Sequence, residues 1–352
     1  TVTGLTARTA YYFNVIVKDE AGNKAVYTMV TANTTATPAP SGGSDNTNNS
    51  AEVIVNGKAQ NAGTSQITTN ASGQTVTTVT VDTSKLESIL AAQGAGATVT
   101  IPVTGSPDVA AGALTGAMVR SMEDKGATLV IQTASGSYTI PASEINIGVI
   151  SQQLGTNVSL ADINVTVSIS EPSAAMTQVV ESAARDGGFT LVVPAVDYTI
   201  TCTYGSRTVT VGSFNAYVER TVAIPDGVDQ LKITTGIVVG SDGTARHVPT
   251  RITVIDGKYY AVISSLTNST YSVVWNPVEF SDVTNHWAKD AINNMGSRMI
   301  VTGSGDGSYD PGRSMTRAEF AAIIVRALGL TMDASASDFN DVSASEWYGG
   351  YV

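Results

Sequence analysis

Runs of β-branched and aromatic residues near the start of the chain predict two strands, at 11–17 and 25–30. Between them, Gly22 and Asn23 both tolerate the positive φ that a tight turn requires. The pattern therefore predicts a β-hairpin. Because two strands cannot bury a core alone, we expect this hairpin to pack against a segment upstream of Thr1. Residues 35–51 are almost free of apolar side chains, rich first in Pro and then in Gly, Ser and Asn, and predict a flexible linker.

Short apolar runs separated by turn residues fill residues 52–276 and predict a β-rich α+β region, with one or two domains and a possible division near Pro172. Helical spacing occurs three times, within 86–90, 114–122 and 145–154. The predicted strands are 52–55, 74–81, 97–103, 127–132, 137–141, 162–170, 190–193, 198–204, 207–211, 218–224, 230–239, 252–255, 259–263 and 270–275.

Residues 280–352 predict small helices instead. Apolar positions from Ala288 to Met299 share one helical face, and a Gly-rich loop follows at 303–311. That loop lacks the spacing of a dinucleotide-binding loop and the alternating acids of a calcium loop, so a turn is the better interpretation. Thr316 and Glu319 then fit a capping box at the start of a second helix, with Met315 and Phe320 placed for a hydrophobic staple.

The second helix carries one apolar stripe and one cation, Arg317, at an unfavourable position. We expect the stripe to be buried and the helix to stop at Gly329. Arg317 falls at the first helical position, where the helix dipole disfavours a positive charge. Free first-turn amides beside a guanidinium would form an anion receptor, although a merely solvated arginine is the alternative. The stripe consists of Phe320, Ile323, Ile324, Ala327 and Leu328.

The pattern then begins again. Phe280, Asp282, Val283 and Trp287 are echoed by Phe339, Asp341, Val342 and Trp347, at offsets of 59 residues for the first three and 60 for the tryptophan. Self-similarity of this kind indicates tandem repeats, with a second repeat starting within 336–352. We therefore expect the sequence to be a piece of a longer chain, which also accounts for the lack of a visible signal peptide.

Composition excludes several classes of function. The chain has 352 residues, of which 19 are basic and 30 acidic, for a net charge of −11. It therefore offers no basic surface for nucleic acid or anionic lipid. No apolar run reaches the roughly 18 residues that a membrane span needs.

Little in the sequence suggests chemistry. The spacings of zinc proteases, α/β-hydrolases, P-loops and Cys-x-x-Cys sites do not occur, so we expect no catalytic residue, cofactor or metal. The two histidines are expected to be exposed (His247) and solvated (His286). Cys202, the single cysteine, is expected to be a buried free thiol. The pair Glu123 and Asp124 reads as a solubilising helix surface.

Two resemblances follow from these motifs. Residues 4–15, with Asp19 and residues 21–23, resemble the last third of a fibronectin type III domain, which implies an all-β fragment at 1–34. In that family Leu5 and Tyr11 would form the tyrosine corner. Any Tyr-rich hairpin is the alternative.

The C-terminal motifs resemble the S-layer homology domain of bacterial surface proteins. Phe-x-Asp-Val, Trp-Ala, Gly-x-Gly-Asp-Gly and Thr-Arg-Ala-Glu-Phe stand in that family's order, over one repeat at 277–331 and the start of another at 336–352. The resemblance implies helical repeats, usually three, around a pseudo-threefold axis. It also implies non-covalent attachment to secondary cell-wall polysaccharide that often carries pyruvate ketals.

The resemblance also implies roles for five residues. Arg317 would pair with the ligand carboxylate, beside Thr316 of the same motif. Trp287 would pack beside the sugar, Asp282 would orient the groove or a sugar hydroxyl, and Gly303 would allow a close backbone approach. Core packing for Trp287 and a capping role for Asp282 are the alternatives. Met299 departs from the family, where Gly is common, and the family's grooves lie between neighbouring repeats.

Together these patterns predict a multidomain, non-catalytic piece of an extracellular protein at the bacterial cell wall. Its expected partners are wall polysaccharide or peptidoglycan and further S-layer homology repeats, with no nucleic acid and no membrane span. Two alternatives remain open. The chain could anchor a polysaccharide-degrading enzyme whose catalytic domain lies elsewhere, or it could be an S-layer or adhesin subunit.

Overall fold

The computed structural model describes residues 10–13, 16–18, 24–26, 30–33, 49–333, 339, 342–343 and 345–352. The chain divides into two units, residues 1–48 and 49–352. In the first unit two antiparallel pairs form, β1 with β4 and β2 with β3, the latter agreeing with the predicted hairpin. Leu5 and the side chain of Tyr11 lie outside the described part, so the tyrosine corner stays a prediction. The strands are β1 (Ala10–Phe13), β2 (Ile16–Lys18), β3 (Lys24–Val26) and β4 (Val30–Asn33).

A mixed sheet of 16 strands organises the second unit. It begins at Ser50, so the end of the predicted linker belongs to the sheet. The strands are β5 (Ser50–Val55), β6 (Lys58–Thr69), β7 (Thr75–Val81), β8 (Thr98–Pro102), β9 (Val109–Thr115), β10 (Thr128–Thr133), β11 (Gly136–Pro141), β12 (Asn164–Ser170), β13 (Thr190–Tyr204), β14 (Arg207–Thr210), β15 (Ser213–Ala223), β16 (Thr235–Val239), β17 (Ala245–Val248), β18 (Thr250–Ile255), β19 (Lys258–Thr267) and β20 (Thr270–Trp275).

The strand order shows that the sheet curls. It runs β17-β16-β20-β13-β12-β9-β7-β6-β5-β8-β10-β11-β15-β19-β18, with β14 paired to β13. The pairs β7–β9 and β8–β10 are parallel. The two end strands, β17 and β18, are separated in the chain by Pro249 alone, so the ends of the sheet meet there. Proline suits this corner because it has no N–H to donate to a ladder. Its carbonyl still accepts a hydrogen bond from Ser264.

Three helices contribute to the main core beside this sheet: α1 (Thr83–Ala92), α2 (Gly116–Asp124) and α3 (Ile147–Leu154). They supply buried side chains at the predicted helical spacing, Leu86 and Leu90 among them. One prediction about them is wrong. Glu123 is not a solubilising residue, because its Oε1 accepts the amide of Ile147 at 2.8 Å and so caps α3. Burial is the main influence on this carboxyl and raises its pKa.

A fourth helix, α4 (Ala174–Gly187), was not predicted. Its buried residues Val180 and Ala184 join a separate apolar cluster with Ile237 of β16 and Val274 of β20. The sheet also continues across the proposed division near Pro172, since β12 before it pairs with β13 after it over seven residues. The strands β6 and β9 were missed as well.

Two polar side chains in this region are buried, one against the prediction made for it and one against the rule that a buried charge has an ionic partner. His247 is buried in β17, so its predicted exposure is wrong. Arg220 is fully buried, and it forms no ion pair with a carboxylate in the described part of the chain. Instead its guanidinium lies 4.6 Å from the ring of Tyr271 and 5.1 Å from that of Tyr138, and it donates to the carbonyls of Val218 and Thr267. Cys202 is buried and free, as predicted.

The C-terminal part contains α5 (Lys289–Ser297) and α6 (Arg317–Ala327), with 3-10 turns at Ser281–Val283 and Gly349–Tyr351. Phe280, Val283 and Ile292 form its small core. The end of α6 rests on the sheet region. Leu328 O accepts the hydroxyl of Tyr217 at 2.7 Å, and Leu330 O accepts Arg246 Nη1 at 2.8 Å. The first contact satisfies the C-cap carbonyl of α6, which the helix itself leaves without a partner.

Candidate functional site

The start of α6 follows the predicted capping box. Thr316 is the N-cap, its hydroxyl accepts the amide of Glu319, and the Glu319 carboxylate accepts the Thr316 amide at 2.8 Å. Arg313, which sequence reasoning missed, donates to both carboxylate oxygens of Glu319, at 2.6 and 3.2 Å. These bonds from Arg313, and then those from Thr316, lower the pKa of Glu319 to about 2. The carboxylate of Glu319, in the first turn of the helix, is therefore ionised and already paired with Arg313.

Arg317 occupies the first position of α6. Its side chain is exposed, and it makes no hydrogen bond or ion pair with any residue that the structure describes. Glu319 lies two residues further along the helix, on another face, and its carboxylate is held by Arg313. The first amides of a helix also have no partner within the helix, so this corner combines two kinds of anion donor.

Asp282 braces the loop ahead of α6. Its Oδ1 accepts the amide of Tyr309 at 2.9 Å, and its Oδ2 accepts the amide of Asp310 at 2.7 Å. The bond from Tyr309, with a further contribution from Asp310, lowers the pKa of Asp282. Both carboxylate oxygens are thus engaged with backbone, which favours the capping alternative for this residue over direct contact with a sugar.

Glycine is required at position 303 because the backbone of Ser308 and the ring of Phe280 lie too close for a side chain. Its φ is +69°, and a Cβ there would lie 2.4 Å from Ser308 O and 2.6 Å from the ring of Phe280. Met299 has a φ of +61°, a conformation that favours glycine. Met299 therefore departs from the family in its side chain, while its backbone keeps the conformation that glycine favours.

Trp287 is 92% exposed, which rules out the core alternative. Its ring neighbours that of His286, with centroids 5.5 Å apart. His286 itself is half-buried, and its Nδ1 accepts the amide of Ala288. An exposed indole of this kind is a suitable platform for the apolar face of a sugar.

The apolar stripe of α6 is not buried. Phe320 is 58% exposed, and Ile324 and Leu328 are 41% and 43% exposed, while Ala322 is buried. The prediction of a buried stripe is therefore wrong for this chain. The face lacks a covering partner among the described residues.

A groove of about 400 Å³ lies beside this helix. Of the five predicted site residues, Gly303 alone lines it; Arg317, Trp287, Asp282 and Thr316 do not. Sequence reasoning missed its cations, because no spacing rule distinguishes them from solvated arginines. Trp347 was noticed as an echo of Trp287 but not as a site residue. The lining includes Gly303, Tyr309, Arg313, Glu319, Arg326 and Trp347.

Comparison with known proteins shows which family this part of the chain resembles. Residues 279–321 match the S-layer homology domain family. The chain carries an S-layer homology domain. Similar curated proteins include an endo-1,4-beta-xylanase A from Thermoanaerobacterium saccharolyticum, 39% identical over 87 residues, which are 25% of this chain and 8% of that protein. An S-layer-related protein from Niallia circulans is 37% identical over 79 residues, 22% of this chain and 5% of that protein.

An amylopullulanase from Thermoanaerobacterium thermosulfurigenes is similar over 73 residues, at 40% identity, covering 21% of this chain and 4% of that protein. The chain thus spans less than a tenth of the length of these relatives. No solved structure matches it. Within the described residues, no helix is long and apolar enough to cross a membrane. The S-layer homology domain and its relatives point to the cell surface and cell wall as the location of this chain.

Proposed function

We propose that the S-layer homology domain of this chain attaches it non-covalently to acidic secondary cell-wall polysaccharide, such as a pyruvylated one. The observation that carries this proposal is the exposed guanidinium of Arg317 at the start of α6, which pairs with no residue that the structure describes. A carboxylate on the sugar would take two parallel hydrogen bonds from it and add those of the first-turn amides. The domain binds and does not catalyse.

The remaining site residues support that contact in different ways. Trp287 offers its exposed ring to a sugar face. Asp282 and Gly303 hold the loop at 303–310 in shape, while Thr316 fixes the direction of α6 and hence of Arg317. The groove beside Trp347 offers a second indole to the same polymer.

We further propose that other S-layer homology repeats cover the exposed face of α6. Phe320, Ile324 and Leu328 lie at helical spacing and present a contiguous apolar strip, which a soluble protein ordinarily covers. The echo of Phe280 and Trp287 by Phe339 and Trp347 in the sequence supports this arrangement.

The organisation of the chain fits an anchored spacer. Residues 1–34 would be the end of a fibronectin type III domain, joined by the linker at 35–51 to the β-rich region and then to the anchor. Relatives named as a xylanase and an amylopullulanase favour a second candidate, in which this piece anchors a polysaccharide-degrading enzyme whose catalytic domain lies outside it. The relative named as an S-layer-related protein favours a lattice subunit instead.

Co-sedimentation with purified cell walls tests the proposal. The chain should pellet with intact walls and remain in solution with walls from which the secondary polysaccharide has been extracted. Walls stripped of pyruvate alone separate the acidic group from the rest of the polymer. Equal pelleting with intact and extracted walls would contradict the proposed ligand.

A further inference from the structure

A larger cavity, of about 820 Å³, lies where the sheet region meets the end of α6. Its walls are α4, the turn between β16 and β17, and the segment that follows α6. Most of its lining falls outside residues 279–321, so it is separate from the corner that holds Arg317. Its size is that of an ordinary small-ligand pocket.

Two half-buried arginines line this cavity. Arg246 donates a hydrogen bond from Nη1 to Leu330 O. Arg326 donates one from Nε to the hydroxyl of Tyr351 at 3.1 Å, and its guanidinium lies 5.0 Å from the centre of that ring. Neither forms an ion pair with a carboxylate in the part of the chain that the structure describes. Each guanidinium therefore keeps donors for an external anion.

The acidic residues of the lining have local partners. Asp242 accepts the amide and the hydroxyl of Thr244, at 3.0 and 2.8 Å, and so closes the β16–β17 turn. Asp186 lies 3.5 Å from Arg185 on the exposed side of α4. The positive charge of Arg246 contributes, after those bonds, to lowering the pKa of Asp242. The two arginines therefore keep hydrogen-bond donors that these carboxylates do not accept.

The rest of the lining alternates in character. Apolar side chains come from α4, from Met299 after α5 and from the end of α6, and polar side chains line the cavity beside them. A surface of this composition suits sugar rings, which present apolar faces and a rim of hydroxyls. The apolar members include Val179, Ala183, Met299 and Val325, and the polar members include Gln178, Ser182, Asn276 and Thr302.

We propose that this cavity binds a carboxylated oligosaccharide, with its acidic group between Arg246 and Arg326. The β-rich region would then be a second ligand-binding part of the chain rather than an inert spacer. This binding would not require Arg317, so it can be tested independently of the proposed wall anchor.

Titration calorimetry with tri-galacturonic acid, and with galactotriose as the neutral match, tests this proposal. The intact chain should bind the acidic probe, at least tenfold more tightly than the neutral one. Arg326→Met and Gln178→Trp should each weaken that binding at least tenfold, the first by removing a cation and the second by filling the cavity from the exposed side of α4. Arg317→Ala should leave it unchanged.

The variants also separate loss of a site from loss of the fold. Gln178 makes no hydrogen bond to another described residue, so its replacement should leave the urea midpoint unchanged. Failure of the acidic probe to bind, or binding that depends on Arg317 but not on Arg326 and Gln178, would overturn the proposal. Equal affinity for both probes would overturn the role of the two arginines.

Discussion

Acid should destabilise the sheet region through His247. The ring is buried, and its Nδ1 lies 2.7 Å from the hydroxyl of Thr235. Burial, and next the positive charge of Arg298, lower the pKa of His247 to about 4 from an ordinary 6.5, against a smaller opposing effect of the Ala327 backbone. Between those pH values the unfolded chain binds a proton that the folded chain does not. Stability is therefore lost as the pH falls from 6.5 to 4 and levels off below 4.

The size of this effect follows from the difference in pKa. At 1.36 kcal/mol per pH unit, the fall from 6.5 to about 4 corresponds to roughly 3 kcal/mol of unfolding free energy. The chain has two histidines, which makes a matched comparison simple. Urea unfolding followed by circular dichroism at pH 7, 5.5 and 4 should show this loss in the wild type and in His286→Gln, and little of it in His247→Gln. A pH dependence shared by all three proteins would refute the reasoning.

Three further predictions concern stability. Arg220→Met should lower the unfolding free energy by about 2 kcal/mol, because it removes the cation–π contacts and leaves the carbonyls of Val218 and Thr267 without this donor, a loss that exceeds the gain from no longer desolvating the guanidinium; the exposed Arg251→Met is its control, and a more stable Arg220→Met would contradict this balance. Gly303→Ala should lower the unfolding free energy by about 3 kcal/mol, because the added Cβ would meet Ser308 O. Gly307→Ala, also at positive φ but with nothing within 4 Å of its Cβ, should lower it by about 1 kcal/mol. Equal losses of free energy in urea unfolding would show that the contact with Ser308 is unimportant. Glu319→Gln should lower the melting temperature at pH 7 but not at pH 2, since the depressed pKa means that this carboxylate stabilises the fold above pH 4.5 and loses its effect as the pH falls towards 2; a difference that persists at pH 2 would argue against the charge of Glu319 as its source.

Local features could be predicted from the sequence, and features that depend on distant residues could not. The capping box is set by Thr316 and Glu319, three residues apart, and it forms as expected. His247 was expected to be exposed because it follows a turn, yet α6 and β16 cover it from far along the chain. The strand β6 is polar and largely exposed, so its pairing with β5 and β7 leaves little apolar signal.

The candidate site divides in the same way. Arg317 could be placed at the start of α6 from the motif alone. That Arg313, and not Arg317, neutralises Glu319 could not, because the choice depends on the path of the preceding loop. The spacing of Phe320, Ile324 and Leu328 indicates an apolar face, but spacing alone does not supply the partner that would bury it.

The most direct test of the central claim is the affinity of the chain for purified pyruvylated wall polysaccharide, measured by titration calorimetry. A charged hydrogen-bonded contact contributes about 1.5–3 kcal/mol, so Arg317→Ala should weaken binding by roughly 10- to 100-fold. Arg251→Ala, which removes another exposed arginine, should bind as the wild type does. An unchanged affinity for Arg317→Ala would contradict the proposed anchor.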